Sequence, residues 1–140
     1  MAKNKLNIDF DFDFLLWGLT SNYPDYKLCW KLNQIFEWKL IRIEDIEFFP
    51  VVGEDPILFS HFEFPIPEDH YSIELVKQKN NGFALLNELK NFDYLLIVRG
   101  ERDFFDQEEI TNYLNKIPGI QIAISIDIEK IKTKQHLIFN

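Results

Sequence analysis

Tyr94-Leu95-Leu96-Ile97-Val98 is a continuous run of apolar residues. Such a run is typical of a strand that lies in the middle of a sheet, because both of its faces are covered and neither needs polar side chains. We therefore predict a sheet that contains this segment as a central strand, and the other elements are assigned around it.

Further segments have strand character. They are residues 6–16, 57–64, 71–77 and 120–126, together with residues 41–49, for which a strand-like connector is the alternative. The first segment alternates most regularly, with Phe10 on an apolar face and Asp9 on an acidic one, and it is predicted to end at Gly18. Near Leu15 the apolar residues change from even-numbered to odd-numbered positions, which predicts a bulge or burial on both faces. Short connections between the middle segments predict antiparallel pairing.

Helices are predicted over residues 25–38, from the helical spacing of their apolar residues, and over residues 83–90. Residues 103–106 lead into a third predicted helix that runs through residue 115, and residues 127–134 predict one or two further turns. Pro24 suits the first turn of the first helix. The predicted order is strand, helix, three strands, helix, strand, helix, strand. We predict a single α+β domain over residues 1–140, with a mostly antiparallel sheet of about five or six strands and two or three helices packed on it.

Charge and aromatic content limit the kinds of partner. The formal net charge of -8 repels phosphate backbones and anionic membrane surfaces, so we predict no nucleic-acid and no membrane partner. The chain holds 14 Phe, 3 Trp and 5 Tyr, which is more aromatic surface than one small core hides. We predict a protein partner or self-association, including a homodimer, although Trp17, Trp30 and Trp38 are each assigned to the core. No apolar run reaches membrane-span length, which predicts a cytoplasmic location.

The segment from Leu86 to Tyr94 resembles the signature of the IPExxxVDY proteins, a bacterial family known chiefly from Bacteroidetes. Glu88, Asp93 and Tyr94 match at the right spacing, whereas Asn87 stands where the family has Pro. A second resemblance lies in the first predicted helix, where Tyr26, Leu28, Leu32 and Asn33 are similar to a Tyr-x-Leu-x-x-x-Leu-Asn run in the family. The family has no established activity, so the resemblance implies no particular chemistry.

Glu88, Asp93 and Tyr94, with Arg99 at the end of the same strand, are the candidate binding residues. Arg99 is expected to pair with Glu88 or Asp93. The alternative is a structural corner, in which Asp93 accepts backbone hydrogen bonds and Tyr94 buries its ring with its hydroxyl satisfied. Both interpretations stay open at this stage.

No metal site, cofactor site or catalytic set is predicted. The histidines His61, His70 and His136 lack ligand spacing, although His61 and Glu63 share a predicted strand face. Cys29 is expected to be a small buried hydrophobe. Each glycine stands alone at a predicted break, so no phosphate-binding loop exists.

Three hypotheses for function follow. The first is a noncatalytic interaction or regulatory module, motivated by the aromatic excess, the acidic charge and the missing catalytic set. The second is a small-molecule binder or an enzyme with a site near Glu88, Asp93 and Arg99, which a pocket with converging carboxylates would favour. The third is nucleic-acid binding, which would need a contiguous basic stripe.

Overall fold

The computed structural model describes residues 14–66, 71–100 and 106–137, and these parts form one α+β domain. The elements in chain order are β1 (Phe14–Ser21), α1 (Asp25–Phe36), β2 (Ile41–Phe48), β3 (Ile57–Ile66), β4 (Tyr71–Lys77), β5 (Lys79–Asn80), β6 (Phe83–Ala84), β7 (Tyr94–Arg99), α2 (Gln107–Asn115) and β8 (Ile120–Ile126). Short 3-10 turns cover Asn87–Leu89, Ile128–Lys130 and Lys134–Leu137. The predicted fold class is confirmed.

Six strands form one antiparallel sheet in the order β2-β3-β4-β7-β1-β8, and β5 and β6 form a separate hairpin. Strand β7 pairs with β4 on one side and with β1 on the other. The side chains from Tyr94 to Val98 are all buried. The prediction that this apolar run is a central strand is confirmed.

The two faces of the sheet carry different covers. Successive side chains of a strand point to opposite faces, so Tyr94, Leu96 and Val98 lie on one face and Leu95 and Ile97 on the other. The first face packs against both α-helices; its helical contacts come from Leu28, Cys29, Leu32, Ile110 and Leu114. The second face packs against the segment after β6 and the C-terminal 3-10 turns, through Leu85, Leu86, Leu89, Ile128, Ile131 and Leu137.

Strand β1 does not end at Gly18 as predicted but continues to Ser21. Gly18 lies inside the strand because the ring of Phe92 packs directly on it; an added Cβ would lie 2.7 Å from that ring. Residues near Leu15 are buried on both faces, which is one of the two predicted alternatives. The predicted strand over residues 6–13 lies outside the described residues.

The predicted helix over residues 83–90 is wrong. Asn81 and Gly82 adopt left-handed φ angles of 51° and 82° and close the β5–β6 hairpin, because this tight turn requires positive φ at both positions. The buried amide of Gln78 then organises the chain that follows. It donates to the carbonyls of Leu89 and Phe92 and accepts from the backbone N–H of Leu86 at 3.1 Å. These bonds stabilise a 3-10 turn at the position of the predicted helix.

The two predicted helices that remain are present, and the first is shorter than predicted. Helix α1 ends at Phe36 because Glu37 takes a left-handed φ of 57°. Helix α2 starts at Gln107, where the Asp106 carboxylate accepts from the N–H of Glu109; residues 103–105 lie outside the described residues. The core assignment of Trp30 is wrong, since its side chain is 58% exposed on α1. No helix in the described parts of the chain is long and apolar enough to cross a membrane.

Both edges of the sheet are protected against pairing with another strand. At β8, the side-chain amide of Asn115 donates to the carbonyl of Ala123 at 3.0 Å and accepts from its N–H at 2.9 Å, as a neighbouring strand would. At β2, the register shifts between Ile43 and Ile46, and the intervening Glu44 is exposed. Bulges and charges of this kind block strand addition. Self-association by edge pairing is therefore disfavoured.

We expect the backbone amides of β7 to exchange with solvent among the slowest in the protein, because they lie in the middle of the sheet with both faces covered. Native-state hydrogen exchange measured by NMR tests this. Fast exchange from Leu95 to Ile97 would contradict the placement of β7 at the centre of the fold.

Candidate functional site

An open cleft of about 1000 Å³ lies on the second face of the sheet. One side is β2 from Ile43 to Phe48. The polar floor comes from three neighbouring strands: His61 of β3, Glu74 of β4 and Arg99 of β7. These three side chains share a face because they alternate with core residues of the opposite face. The cleft is therefore a product of sheet register, and its polar residues are far apart in sequence.

The Glu74 carboxylate joins the other two polar side chains. Glu74 and His61 are almost fully buried, at 3% and 5% exposure. One carboxylate oxygen lies 2.8 Å from His61 Nε2, and the other accepts from Arg99 Nε. Arg99 also donates through Nη2 to the carbonyl of Leu137. The network thus ties β3, β4 and β7 to the C-terminal 3-10 turn.

Two opposing effects set the charge state of Glu74. Burial alone would raise the pKa of Glu74, but the hydrogen bond from His61 and the charge and hydrogen bond of Arg99 outweigh it, so the pKa is lowered. Glu74 is therefore an ionised carboxylate at neutral pH. Because each of its oxygens already has a partner, the group is suited to fixing His61 and Arg99 in place, and poorly suited to accepting a proton from a substrate.

His136 contributes a second imidazole to the cleft. Its Nδ1 lies 2.9 Å from the carbonyl oxygen of Leu85. A carbonyl oxygen only accepts, so Nδ1 carries the proton, and in the neutral ring Nε2 keeps its lone pair. The ring also lies 5.2 Å from that of Phe48, which fixes its orientation. His136 can therefore accept one hydrogen bond from a bound group.

The rim of the cleft is acidic and partly apolar. Glu44, Glu47 and Glu63 line it, and none of them forms an ion pair with another described residue. Phe49 also lines it and is 56% exposed, and the adjoining β2–β3 connection carries Val52 with 98% exposure. Since the arginine of the floor is already engaged by Glu74, the accessible charge of the cleft is negative.

The residues of the predicted motif occupy different places. The Glu88 carboxylate accepts from the backbone N–H groups of Lys132 and Thr133 and from the Thr133 hydroxyl. The hydroxyl hydrogen bond is the largest reason that the pKa of Glu88 is lowered. Glu88 thus anchors the C-terminal segment to the 3-10 turn that precedes β7, and it does not line the large cleft.

Asp93 and Tyr94 form a joint between β1 and β7. Asp93 Oδ2 accepts from the N–H of Ser21 at 3.0 Å, and Oδ1 lies 3.2 Å from Lys79 Nζ. The hydroxyl of Tyr94, whose ring is buried, donates to the carbonyl of Tyr23 at 2.6 Å. Burial raises the pKa of Tyr94, so this hydroxyl stays protonated. This geometry has the features predicted for a structural corner.

The structure does not gather the four candidate residues into one site. Asp93 and Tyr94 line a small cleft of about 280 Å³, whereas Arg99 lies in the large one. The expected pairing of Arg99 with Glu88 or Asp93 is wrong: Arg99 pairs with Glu74. Sequence reasoning also missed Glu74 and linked His61 with Glu63 instead. The sequence feature that could have identified Glu74 is its position as a charged residue between Ile73 and Leu75 inside a predicted strand.

Among the described residues, no group of three or more His, Cys, Asp or Glu side chains could hold a metal ion. Cys29 is buried under α1, with its thiol 3.5 Å from the carbonyl oxygen of Leu40. Burial raises the pKa of Cys29, which keeps the thiol protonated and weakens it as a nucleophile.

Comparison with protein-family models, with curated proteins and with solved structures finds no match for this chain. The resemblance to the IPExxxVDY family therefore stays a prediction, and function is argued from the geometry of the clefts.

Substitution of Asp93 tests the structural corner. Asp93→Ala leaves the N–H of Ser21 without its acceptor, so we expect a loss of about 1–2 kcal/mol in the free energy of unfolding. The thermal midpoint should fall by roughly 2–8 °C. Asp93→Asn is the matched control, since it keeps an acceptor oxygen and should lose less. Unchanged or increased stability of Asp93→Ala in calorimetry would contradict the corner.

Glu74 should also determine part of the pH dependence of stability. Because its pKa is lower in the folded state than in the unfolded state, its contribution is present above the unfolded pKa and is lost as pH falls through the folded pKa. Glu74→Gln breaks a buried ion pair, for which we expect a loss of roughly 3–5 kcal/mol at neutral pH. The variant should also lose stability less steeply than the wild type on acidification below about pH 4.3.

Denaturant titrations at several pH values measure both effects. Glu63→Gln is the matched control, because Glu63 lies directly opposite Glu74 in the β3–β4 register but is only half-buried. We expect this control to stay close to the wild type. Equal behaviour of the two variants would show that the Glu74 network contributes no special stability.

Proposed function

We propose that the protein is a noncatalytic interaction module that binds a basic, partly apolar segment of a partner protein in the large cleft. The observation that carries the proposal is the charge of the cleft. Its lining offers the carboxylates of Glu44, Glu47 and Glu63, while the Arg99 guanidinium is already held by Glu74. Among the described lining residues, an incoming Lys or Arg side chain therefore meets carboxylates and no positive charge that is free to repel it.

The electrostatics of the whole chain support the same partner. The net charge of -8 creates a field that attracts cationic segments and raises their association rate. The same field repels phosphate backbones, so the proposal includes no nucleic-acid partner. A cytoplasmic location is part of the proposal and is supported by the lack of a membrane-length apolar run in the sequence.

Apolar groups beside the acidic rim supply a second type of contact. Phe49, Val51 and Val52 are exposed on the connection between β2 and β3, and Phe49 also lines the cleft. Exposed apolar residues next to a polar cleft mark interaction surfaces. A segment that places a cationic side chain in the cleft can therefore cover these residues with its apolar side chains.

The floor of the cleft favours binding over catalysis. Both oxygens of Glu74 are occupied, so this carboxylate has no free position for a substrate proton. His136 is oriented through Nδ1 by the carbonyl of Leu85, and its Nε2 suits a hydrogen bond from the cationic group of a bound segment. The second candidate function is binding of a small organic cation, because a cleft of about 1000 Å³ lies at the upper end of the range for small ligands.

A model peptide with alternating lysine and leucine residues tests the proposal, and a glutamate–leucine peptide of equal length is the matched control ligand. We expect the lysine peptide to bind and its affinity to fall with added salt, because the contact is electrostatic. The double variant Glu47→Gln/Glu63→Gln should bind it on the order of tenfold more weakly at low salt, since exposed ion pairs contribute about 0.2–1 kcal/mol each.

The matched control protein is Glu37→Gln/Glu108→Gln, which removes the same charge from positions outside the cleft. Isothermal titration calorimetry measures each affinity. Equal weakening of peptide binding in the two double variants would show that net charge alone causes the effect. The absence of binding at millimolar peptide would contradict the proposal. Binding of lysine ethyl ester but not of the peptide would select the small-cation candidate instead.

A further inference from the structure

A second cleft, of about 510 Å³, lies beside the β5–β6 hairpin and has the opposite charge. Lys77, Lys79 and Lys90 line it, and none of its described lining residues is acidic. The small cleft that contains Asp93 shares Lys77 and Lys79 with it. The two form one basic region, in a chain whose net charge is -8.

The fold brings the three lysines together from separate elements. Lys77 ends β4, Lys79 begins β5, and Lys90 follows the 3-10 turn before β7. The amide of Gln78 fixes their relative positions, because it is fully buried between the first two lysines and bonds to the segment that leads to Lys90. The cleft is thus held by the same contacts that replace the predicted helix.

The positive charge of this region is only partly neutralised. Lys79 pairs with Asp93 at 3.2 Å. Lys77 and Lys90 form no ion pair with any residue in the described ranges, and both are exposed. Three ammonium groups around one cleft repel each other, and a bound anion removes that repulsion. The arrangement therefore favours an anionic ligand.

We propose that this cleft, which we call the lysine cleft, binds a small phosphorylated molecule that carries an aromatic ring. Its cations are all lysines, which act as point charges suited to phosphate, whereas planar carboxylates favour the fork of arginine. Phe83 lines the cleft with a 46% exposed ring on which a planar group can stack. Asn81 and Asn91 add side-chain amides, and the volume fits a small ligand.

The hairpin turn leaves room for such a ligand. A Cβ built on Gly82 would meet no atom within 4 Å, so the space above the turn is open. This site lies on different residues from the large acidic cleft. It is therefore independent of the peptide-binding proposal, and each can fail without the other.

Adenosine monophosphate is the probe, with inorganic phosphate and adenosine as its two parts. We expect its addition to shift the backbone NMR signals of Asn81 and Gly82, and we expect adenosine alone to leave them unchanged. The double variant Lys77→Gln/Lys90→Gln should bind the nucleotide on the order of tenfold more weakly or worse, since it loses two charge-assisted contacts. Phe83→Ala should weaken binding of the nucleotide and leave that of inorganic phosphate unchanged.

Lys39→Gln/Lys116→Gln removes the same charge from exposed positions outside the lysine cleft and serves as the matched control. It should bind as the wild type does. Thermal unfolding of each variant verifies that it is folded. Equal loss of binding in the two double variants, or no shift at Gly82 with millimolar nucleotide in low-salt buffer, would overturn the site.

Discussion

The ionised carboxylate of Glu74 is the constraint on which the second face of the sheet depends. A charge taken out of water costs several kcal/mol unless it is paired and hydrogen-bonded, and Glu74 is 3% exposed. His61 and Arg99 meet that requirement from the two adjacent strands, and Arg99 extends it to the carbonyl of Leu137. The Glu74 carboxylate therefore couples three features: the register of the strands, the position of the C-terminal 3-10 turn and the floor of the large cleft.

The two faces of the sheet differ in what covers them. The first face is an ordinary apolar core beneath two helices, in which Trp17 and Tyr94 are fully buried. The second face has a thinner cover of 3-10 turns and a hairpin, and such irregular segments leave clefts beside the sheet. The acidic cleft near Glu63 lies on this face, whereas the basic cleft near Lys77 lies beside the β5–β6 hairpin. The two proposed ligands therefore have opposite charge.

The sequence alone predicts those elements whose residue patterns reflect local burial. The apolar run of β7 needs no partner to be recognised, and the prediction was correct. The segment from residue 83 to residue 90 failed because its conformation is set by the distant amide of Gln78 and by left-handed residues in the turn. Arg99 is one of the candidate residues, but its predicted partners, Glu88 and Asp93, are wrong. Its actual partner is Glu74, which only the β4–β7 register places beside it.

Direct titration of the Glu74 side-chain carboxyl carbon by NMR tests the central claim most closely. We predict a midpoint below that of a glutamate in an unstructured peptide, about 4.3, because hydrogen bonds and the charge of Arg99 outweigh burial. In Arg99→Gln the titration midpoint of Glu74 should rise, because the charge that offsets the effect of burial is removed. A wild-type midpoint at or above the peptide value would mean that Glu74 is buried without effective compensation, and it would contradict the account.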